Sequence, residues 1–126
     1  MNLLIDTRIL IWFLNGDSRL SLKTRAAIED PKNTKYVSIA SLCEIAIKIS
    51  LDKFRFNKGF KSFIRMVEDN GFLILPITIE HTLMVSNLEF IHRDPFDRIL
   101  IAQCKCENFT IATEDENIKL YSTKTI

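Results

Sequence analysis

Four short apolar runs, separated by segments with helical periodicity, constrain the fold of this chain more than any other feature. They are Asn2–Ile5, Tyr36–Ser38, Phe72–Leu75 and Phe109–Ala112, and each has the length of a buried strand rather than of a helix. Strands that alternate with helices favour an α/β domain with a mainly parallel sheet. A further run at Leu120–Thr125 would bring the sheet to roughly five strands.

Capping residues and stop signals mark where the helices begin and end. Asp94-Pro95 places a capping acid and a first-turn proline at the start of a long helix, and Pro31 stops an earlier one. The predicted helices are the segment after Asp6-Thr7 as far as Asn15, then Ser21–Asp30, Ser38–Ile49, Phe60–Asp69, Thr78–Leu88 and Asp94–Glu107, with a short turn at Glu114–Ile118.

The size and charge of the chain limit the kinds of protein it can be. With 126 residues it has the size of one ordinary domain, so we expect residues 1–126 to form a single domain. Hydrophobic residues make up 47% of it, which suffices for a real core. The net charge of +1 gives no sign of a nucleic-acid partner, so such a partner would need a local basic patch.

Several features indicate a cytoplasmic protein without a membrane segment. The longest uncharged run, Asn70–Ile79, is much shorter than the roughly 20 apolar residues of a spanning helix. The N-terminus carries Asp6 inside its apolar stretch and lacks a basic leader, which argues against a signal peptide. Three cysteines, an odd number, are typical of reduced thiols in a cytosol.

Three familiar kinds of site find no support in the sequence. Neither glycine-rich phosphate loop occurs, which excludes dinucleotide-binding and P-loop proteins. Cys104 and Cys106 lie two positions apart and would point to nearly opposite faces of a helix, so we interpret both as buried small residues. His81 and His92 have no second metal ligand at helical spacing, and we interpret both as incidental.

Acidic residues follow two of the predicted strands and start one of the helices. Asp6 follows the first strand, Asp115 follows the Phe109–Ala112 strand, and Asp97 lies in the first turn of the long helix. Glu44 joins them because it stands on an otherwise apolar helix. These four acids are the candidate functional residues.

Each acid also has a simpler interpretation. Asp6 could cap the helix that follows it. Glu44 could form a surface ion pair with Lys48, four residues further on. The other acids occupy positions typical of a helix start: Asp94 as N-cap with Asp97 in the first turn, and Thr113 as N-cap with Asp115 and Glu116 in the first turn.

Taken together, the acids suggest a metal site. Acids that follow parallel strands converge on one edge of the sheet, and crowded carboxylates raise one another's pKa unless a cation lies between them. Mg²⁺ and Mn²⁺ prefer such oxygen ligands, and in phosphodiester chemistry a bound metal activates the attacking water. From the residues alone, capping and metal binding both stay open.

Four segments occur in an order that is typical of one family. They are Leu3-Leu4-Ile5-Asp6-Thr7, Ser41-Leu42-Cys43-Glu44-Ile45-Ala46-Ile47-Lys48, the segment from His92 through Arg93-Asp94-Pro95-Phe96-Asp97 to Gln103, and Thr113-Glu114-Asp115. In this order they resemble the PIN-domain ribonucleases, specifically the small VapC-type toxins of bacterial toxin–antitoxin pairs. The resemblance extends essentially from end to end of the chain.

The resemblance implies a three-layer α/β/α fold and an endoribonuclease that depends on Mg²⁺ or Mn²⁺. It also implies an RNA substrate, a cognate antitoxin protein, and a homodimer that assembles further with the antitoxin in the cytoplasm. By position, the catalytic metal ligands of the family correspond to Asp6, Glu44, Asp97 and Asp115, and its supporting hydroxyl residues to Thr7 and Thr113.

Two positions need comment within this resemblance. Asp97 is preferred to Asp94 as the third acid because the apolar pattern of the helix counts better from Asp97. Arg8 stands where many relatives have histidine or another uncharged residue. A cation there could contact a substrate phosphate or, if it points inward, weaken the affinity for metal.

The segment from Lys48 to Arg65 concentrates positive charge, because only Asp52 interrupts its six basic residues. It could contact RNA phosphates or an acidic partner, or it could be an ordinary solvated helix face. We single out Lys48, Lys53 and Arg55 as the RNA or partner patch. Some of the interleaved aromatic residues could be exposed for a dimer or antitoxin interface: Phe54, Phe56, Phe60 and Phe63.

Two other functions are compatible with the sequence. A non-catalytic RNA- or protein-binding module would use the same fold and the basic segment without turnover. A phosphoacceptor receiver-type domain also has acids at strand ends, but it usually needs adjacent acids near the first strand. Only Asp6 occurs before Asp17, so we rank this function last.

Overall fold

Four parallel strands form the sheet at the centre of the computed structural model, which describes all 126 residues. The strands are β1 (Asn2–Ile5), β2 (Thr34–Ser38), β3 (Leu73–Leu75) and β4 (Thr110–Ala112). They lie side by side in the order β3-β2-β1-β4, and every neighbouring pair is parallel. The predicted parallel α/β architecture is confirmed.

The predicted fifth strand is reduced to a short ladder beside β4. Thr125 makes one parallel bridge to Ile111, and two backbone hydrogen bonds of 2.9 and 3.0 Å connect Ile111 with Lys124 and Ile126. The first part of the run is not extended, because the N–H groups of Tyr121 and Thr123 bond to nearby carbonyls in local turns. Only the last residues therefore reach the edge of the sheet.

Seven helices accompany the sheet, and their ends follow the capping residues in the sequence. Ser21 and Asp94 cap two of them through side-chain oxygens that accept hydrogen bonds from first-turn N–H groups. None of the helices has both the length and the apolar character that crossing a membrane requires. The helices are α1 (Thr7–Asn15), α2 (Leu22–Glu29), α3 (Ile39–Ser50), α4 (Phe60–Asp69), α5 (Ile79–Asn87), α6 (Pro95–Glu107) and α7 (Glu116–Lys119).

The central strand β1 is buried on both of its faces. Leu3 and Ile5 belong to one hydrophobic core, which includes residues of α1, α2, α3 and α4, while Leu4 belongs to a second core with residues of α6. All three side chains are fully buried. Successive side chains of a strand point to opposite faces, so one strand serves both cores and the domain has the three layers that the resemblance implies.

The aromatic residues of the basic segment help to build the first core. Phe63 is buried, and the rings of Phe54, Phe56 and Phe60 surround it at centroid distances of 6.1, 5.5 and 6.4 Å. Each of the three packs against the first core and is only partly exposed. None of the four is fully exposed, and a contact of Phe54, Phe56 or Phe60 with a partner stays a prediction.

His81 has a structural role, so its interpretation as incidental is wrong. It is fully buried, and its Nδ1 accepts a hydrogen bond of 3.0 Å from the backbone N–H of Thr78, the N-cap of α5. Its Nε2 lies 2.9 Å from Oε1 of Glu107 on α6. This histidine therefore joins α5 to the helix that carries Asp97.

The two neighbouring cysteines point to different surroundings, as their spacing predicts. Cys104 is buried in the second core, where burial raises the pKa of its thiol to about 12. Cys106 is exposed, so the expectation of two buried thiols holds only for Cys104. The difference follows from their spacing on α6, which turns the two side chains to nearly opposite faces of the helix.

Candidate metal centre

The carboxyl ends of β1 and β4 meet where the strand order of the sheet reverses. From β1 the chain builds β2 and β3 on one side, and it later returns to place β4 on the other side. In open parallel sheets this switch point is where ligands bind. A cavity of about 330 Å³ opens here, and all four predicted acids line it: Asp6, Glu44, Asp97 and Asp115.

Asp6 is nearly buried and uses both of its carboxylate oxygens. Oδ1 accepts a hydrogen bond of 2.9 Å from the N–H of Ile9 and so caps α1, as the simpler interpretation predicts. Oδ2 accepts a hydrogen bond of 2.6 Å from the hydroxyl of Thr113. Burial raises the pKa of Asp6 above its ordinary value, despite these two hydrogen bonds, which act in the opposite direction.

Asp115, and not Thr113, is the N-cap of α7. Oδ1 of Asp115 accepts hydrogen bonds from the N–H groups of Asn117 and Ile118, at 2.8 and 3.3 Å. The Thr113 hydroxyl cannot cap the helix because it is already placed between Asp6 and the N–H of Asp115, 3.0 Å away. Thr113 therefore orients two of the candidate ligands: its hydroxyl donates to Asp6 and accepts from the N–H of Asp115.

His92 lies between two of the acids, so its interpretation as incidental is also wrong. Its Nε2 is 2.9 Å from Oδ2 of Asp97 and 3.1 Å from Oδ2 of Asp115. Its Nδ1 accepts a hydrogen bond of 3.2 Å from the N–H of Asp94. Because Nδ1 is an acceptor, Nε2 carries a proton and donates toward the two carboxylates.

A search for metal ligands at helical spacing cannot identify His92 as part of the site, because this residue precedes α6 and lies in a loop. The available signal was its place at the start of the segment that continues through Asp94 to Asp97. A residue in such a loop can fold back over the helix start, where the capping acid and the first-turn acid are found. Loop residues next to a capping box are therefore candidates even without helical spacing.

Asp97 and Asp94 have separate tasks at the start of α6. Oδ1 of Asp94 caps the helix by accepting from the N–H groups of Phe96 and Asp97, at 2.8 and 3.1 Å. Asp97 reaches His92 instead. Burial, followed by the negative charges of Asp94 and Asp6, raises the pKa of Asp97 to about 7, against the opposing effect of His92. This geometry favours Asp97 over Asp94 as a ligand.

Burial also acts to raise the pKa of Asp115, but the hydrogen bonds that its carboxylate accepts outweigh this effect. The hydrogen bonds from His92 and from the N–H of Asn117 leave the pKa of Asp115 below its ordinary value. Two neighbouring acids that share one histidine therefore differ in ionisation near neutral pH. Asp97 retains a proton easily, whereas Asp115 carries a negative charge.

Glu44 forms the ion pair that the simpler interpretation predicts, and it also lines the cavity. Its Oε2 lies 3.1 Å from the Nζ of Lys48, one helical turn along α3. Its Oε1 is buried at the cavity and has no hydrogen-bond partner. Buried acceptors are nearly always paired, so an unpartnered carboxylate oxygen points to a ligand that completes it.

The structure gives less support for Thr7 than for Thr113 as a residue that orients the acids. It lines the cavity and is buried, as a supporting residue should be. Its hydroxyl, however, has no hydrogen-bond partner among the protein groups. No hydrogen bond of its hydroxyl therefore connects Thr7 with the acids that it was expected to support.

The chemistry of the cavity fits a hard divalent cation. Its ligands would be carboxylate oxygens, which Mg²⁺ and Mn²⁺ prefer, and ligand atoms of His92, Asp97 and Asp115 already lie within 4.8 Å of one another. A metal would displace the proton that Asp97 binds readily near neutral pH. It would also give the unpartnered oxygen of Glu44 a partner. Asp6, Glu44, Asp97 and Asp115 are the residues that could hold it.

The three residues of the predicted basic patch are not brought to one place. Lys48 lines the acidic cavity. Arg55 lines a separate cavity of about 640 Å³ together with Lys58 and Arg65. Lys53 lines neither of them. Only Lys48 is therefore next to the candidate metal centre.

Comparison with known proteins yields one family and a set of related folds. The family model for the PIN domain matches residues 3–124. The structure of VapBC2 from Rickettsia felis, bound to a DNA fragment from its promoter, is similar with a TM-score of 0.76 and 15% identity, covering 100% of this chain and 98% of that one. No curated protein gives a significant match.

Two further solved structures have the same fold. VapBC-1 from nontypeable Haemophilus influenzae has a TM-score of 0.72 at 13% identity and covers 100% of this chain and 97% of that one. The PIN domain endonuclease Utp24 has a TM-score of 0.55 at 18% identity and covers 94% of this chain and 74% of that one. At these identities the similarity establishes the fold.

Replacement of Thr113 by valine tests the support of the metal centre. Thr113→Val keeps the shape but removes the hydrogen bond to Asp6, so we expect the affinity for Mn²⁺ to fall by roughly 10-fold, the effect typical of groups that orient a ligand. Isothermal titration calorimetry measures this affinity. Thr110→Val, the same change on β4 at a side chain without hydrogen bonds, should leave it unchanged; equal losses in both variants would contradict the role of Thr113.

The raised pKa of Asp97 predicts a dependence of stability on pH in metal-free protein. Between about pH 4 and 7 the folded state holds a proton on Asp97 that the unfolded state has released, so the free energy of unfolding falls as pH rises through this range. Urea unfolding in EDTA should show this fall in the wild type and a weaker one in Asp97→Asn. Identical pH slopes in the two proteins would contradict the prediction.

Proposed function

This chain belongs to the PIN domain family, and we propose that it is a Mg²⁺- or Mn²⁺-dependent endoribonuclease that acts as the toxin of a toxin–antitoxin pair. The observation that carries the proposal is the convergence of four acids from four parts of the chain on one cavity, with one carboxylate oxygen unpartnered. Crowded acids are costly to the fold, so a cavity that collects them is typical of a functional site.

The four acids would hold the metal at the switch point of the sheet: Asp6, Glu44, Asp97 and Asp115. When bound, the metal would lower the pKa of the attacking water and neutralise charge on the phosphoryl oxygens. The protein contributes orientation. Asp6 is fixed on both sides by Ile9 and Thr113, and His92 holds the facing oxygens of Asp97 and Asp115.

Two cations at the cavity would attract the substrate backbone. Lys48 and Arg8 both line it, and the Arg8 side chain is exposed. Positive groups beside a negative pocket can bind the phosphates on either side of the scissile bond, which makes the affinity salt-dependent. Arg8 is thus proposed to contact substrate rather than to weaken the metal site.

The toxin assignment rests on the likeness of the whole chain to toxin–antitoxin structures. The VapBC2 and VapBC-1 structures each cover 100% of this chain, which supports our proposal that residues 1–126 form a single nuclease domain. We propose a homodimer that assembles further with a cognate antitoxin. We also place the protein in the cytoplasm, since its three cysteines are free thiols.

Loss of one metal ligand should abolish cleavage. Purified protein with Mn²⁺ is expected to cleave RNA, and Asp6→Asn and Glu44→Gln should each lower the rate by roughly 100-fold or more, since a lost ligand exceeds the effect of a lost supporting group. Gel assays of a labelled RNA measure the rate. Asp69→Asn, at an exposed acid outside the cavity, is the matched control.

Two results would contradict this mechanism in different ways. Cleavage that persists in excess EDTA, or in Asp6→Asn, would exclude metal-dependent hydrolysis at this site. RNA binding without turnover, unchanged when the acids are neutralised, would instead support the non-catalytic binding module.

The toxin role predicts a growth phenotype. Expression of the wild-type protein in a bacterial host should arrest growth, and co-expression of the product of an adjacent small gene should restore it. Asp6→Asn should leave growth unaffected, because arrest requires cleavage. Arrest of the same depth with Asp6→Asn would show that toxicity arises from something other than the nuclease.

A further inference from the structure

We propose that Trp12 and Arg8 form a stacking site for an unpaired nucleobase beside the metal centre. This inference rests on the proposed function, because it concerns a ligand of the same cavity. It begins from an unusual feature of the cavity wall. Among its mostly polar lining, the two hydrophobic residues are Ile11 and Trp12, both on α1.

The helix geometry places Trp12 at a useful distance from the acids. Trp12 lies six positions after Asp6, which corresponds to about 9 Å along the axis of α1. Arg8 lies one turn before Trp12, on the same face of the helix. A base that flanks a phosphate held near Asp6 would therefore meet the indole ring and not another charged group.

The indole ring is held in place before any ligand arrives. Trp12 packs partly against the first core while it also lines the cavity. The guanidinium of Arg19 lies 5.1 Å from the ring centroid, and Asp17 holds that guanidinium through hydrogen bonds that include one of 2.6 Å. A ring fixed in this way loses little conformational entropy when a base stacks on it.

Arg8 can leave the ring with little cost. Its guanidinium lies 5.9 Å from the Trp12 centroid, at the outer limit of cation–π contacts. The side chain is exposed and takes part in no ion pair or side-chain hydrogen bond, in contrast to Arg19. A nucleobase could take its position over the ring while Arg8 binds the adjoining phosphate or stacks on the base.

Stacking on a side chain requires a base whose face is free. In double-stranded RNA both faces of a base are covered by its neighbours, and proteins stack aromatic side chains on unpaired bases in loops and single strands. Lys48, another cation of the cavity lining, provides a contact for the backbone of such a strand. The combination of one aromatic ring and flanking cations is typical of single-strand binding sites.

The single tryptophan of the chain reports directly on this site. Wild-type protein in EDTA is titrated with a fluorescein-labelled single-stranded RNA nonamer of mixed sequence, and anisotropy gives the dissociation constant. The same titration with unlabelled nonamer follows the emission of Trp12. We expect saturable quenching by the single strand and much weaker quenching by the blunt duplex of the same sequence.

Variants separate stacking from simple packing. Trp12→Leu should weaken binding of the single strand by about 5-fold to 100-fold, the range for loss of one base–aromatic contact, and Trp12→Phe should restore most of it. Phe13→Leu is the matched control, because Phe13 lies on α1 and packs on the first core but does not line the cavity. Circular dichroism confirms that each variant is folded.

The outcomes distinguish this inference from the proposed function. No binding, binding without quenching, equal quenching by the duplex, or equal losses in Trp12→Leu and Phe13→Leu would each overturn the stacking site. Cleavage of RNA could still occur in all of these cases. Conversely, quenching and a selective loss in Trp12→Leu would support the stacking site even if no cleavage were found.

Discussion

The hydrogen bond of 2.6 Å between the Thr113 hydroxyl and Asp6 joins residues 107 positions apart, and the rest of the site depends on it. It connects the end of the first strand with the end of the last, at the switch point where the strand order of the parallel sheet reverses. The same hydroxyl accepts from the N–H of Asp115 and so fixes the start of α7. The site therefore forms only when β4 has docked beside β1.

Bringing these acids together at one edge of the sheet costs free energy, because their carboxylates are at least partly buried and repel one another. Burial and like charges raise the pKa of Asp97 to about 7, so the metal-free cavity relieves its repulsion by holding a proton. His92 offers a second form of relief, since its Nε2 donates toward Asp97 and Asp115. A proton on Asp97 and the Nε2–H of His92 both reduce this repulsion, and a divalent cation bound here would reduce it in the same way.

The sequence predicts the fold and the convergence of the four acids on one cavity, because both follow from local rules. Apolar runs and caps define β1 to β4 and the helices, and parallel strands bring their ends together whatever the details. The role of His92 depends instead on how a loop folds back toward the start of α6. The partial burial of Phe54 depends on which side chains surround it in the folded chain. Thr113 was misplaced as a cap because local spacing cannot show that a distant partner, Asp6, already uses its hydroxyl.

Capping a helix and binding a metal are compatible roles for one acid, because a carboxylate has two oxygens. Asp115 caps α7 with Oδ1 and turns Oδ2 toward His92, and Glu44 pairs with Lys48 through Oε2 while Oε1 faces the cavity. Capping fixes the side chain, so the second oxygen is held at no further entropic cost. Substitution of Asp115 or Glu44 therefore removes a structural contact together with a candidate ligand oxygen, so its effect on stability has to be measured beside its effect on activity.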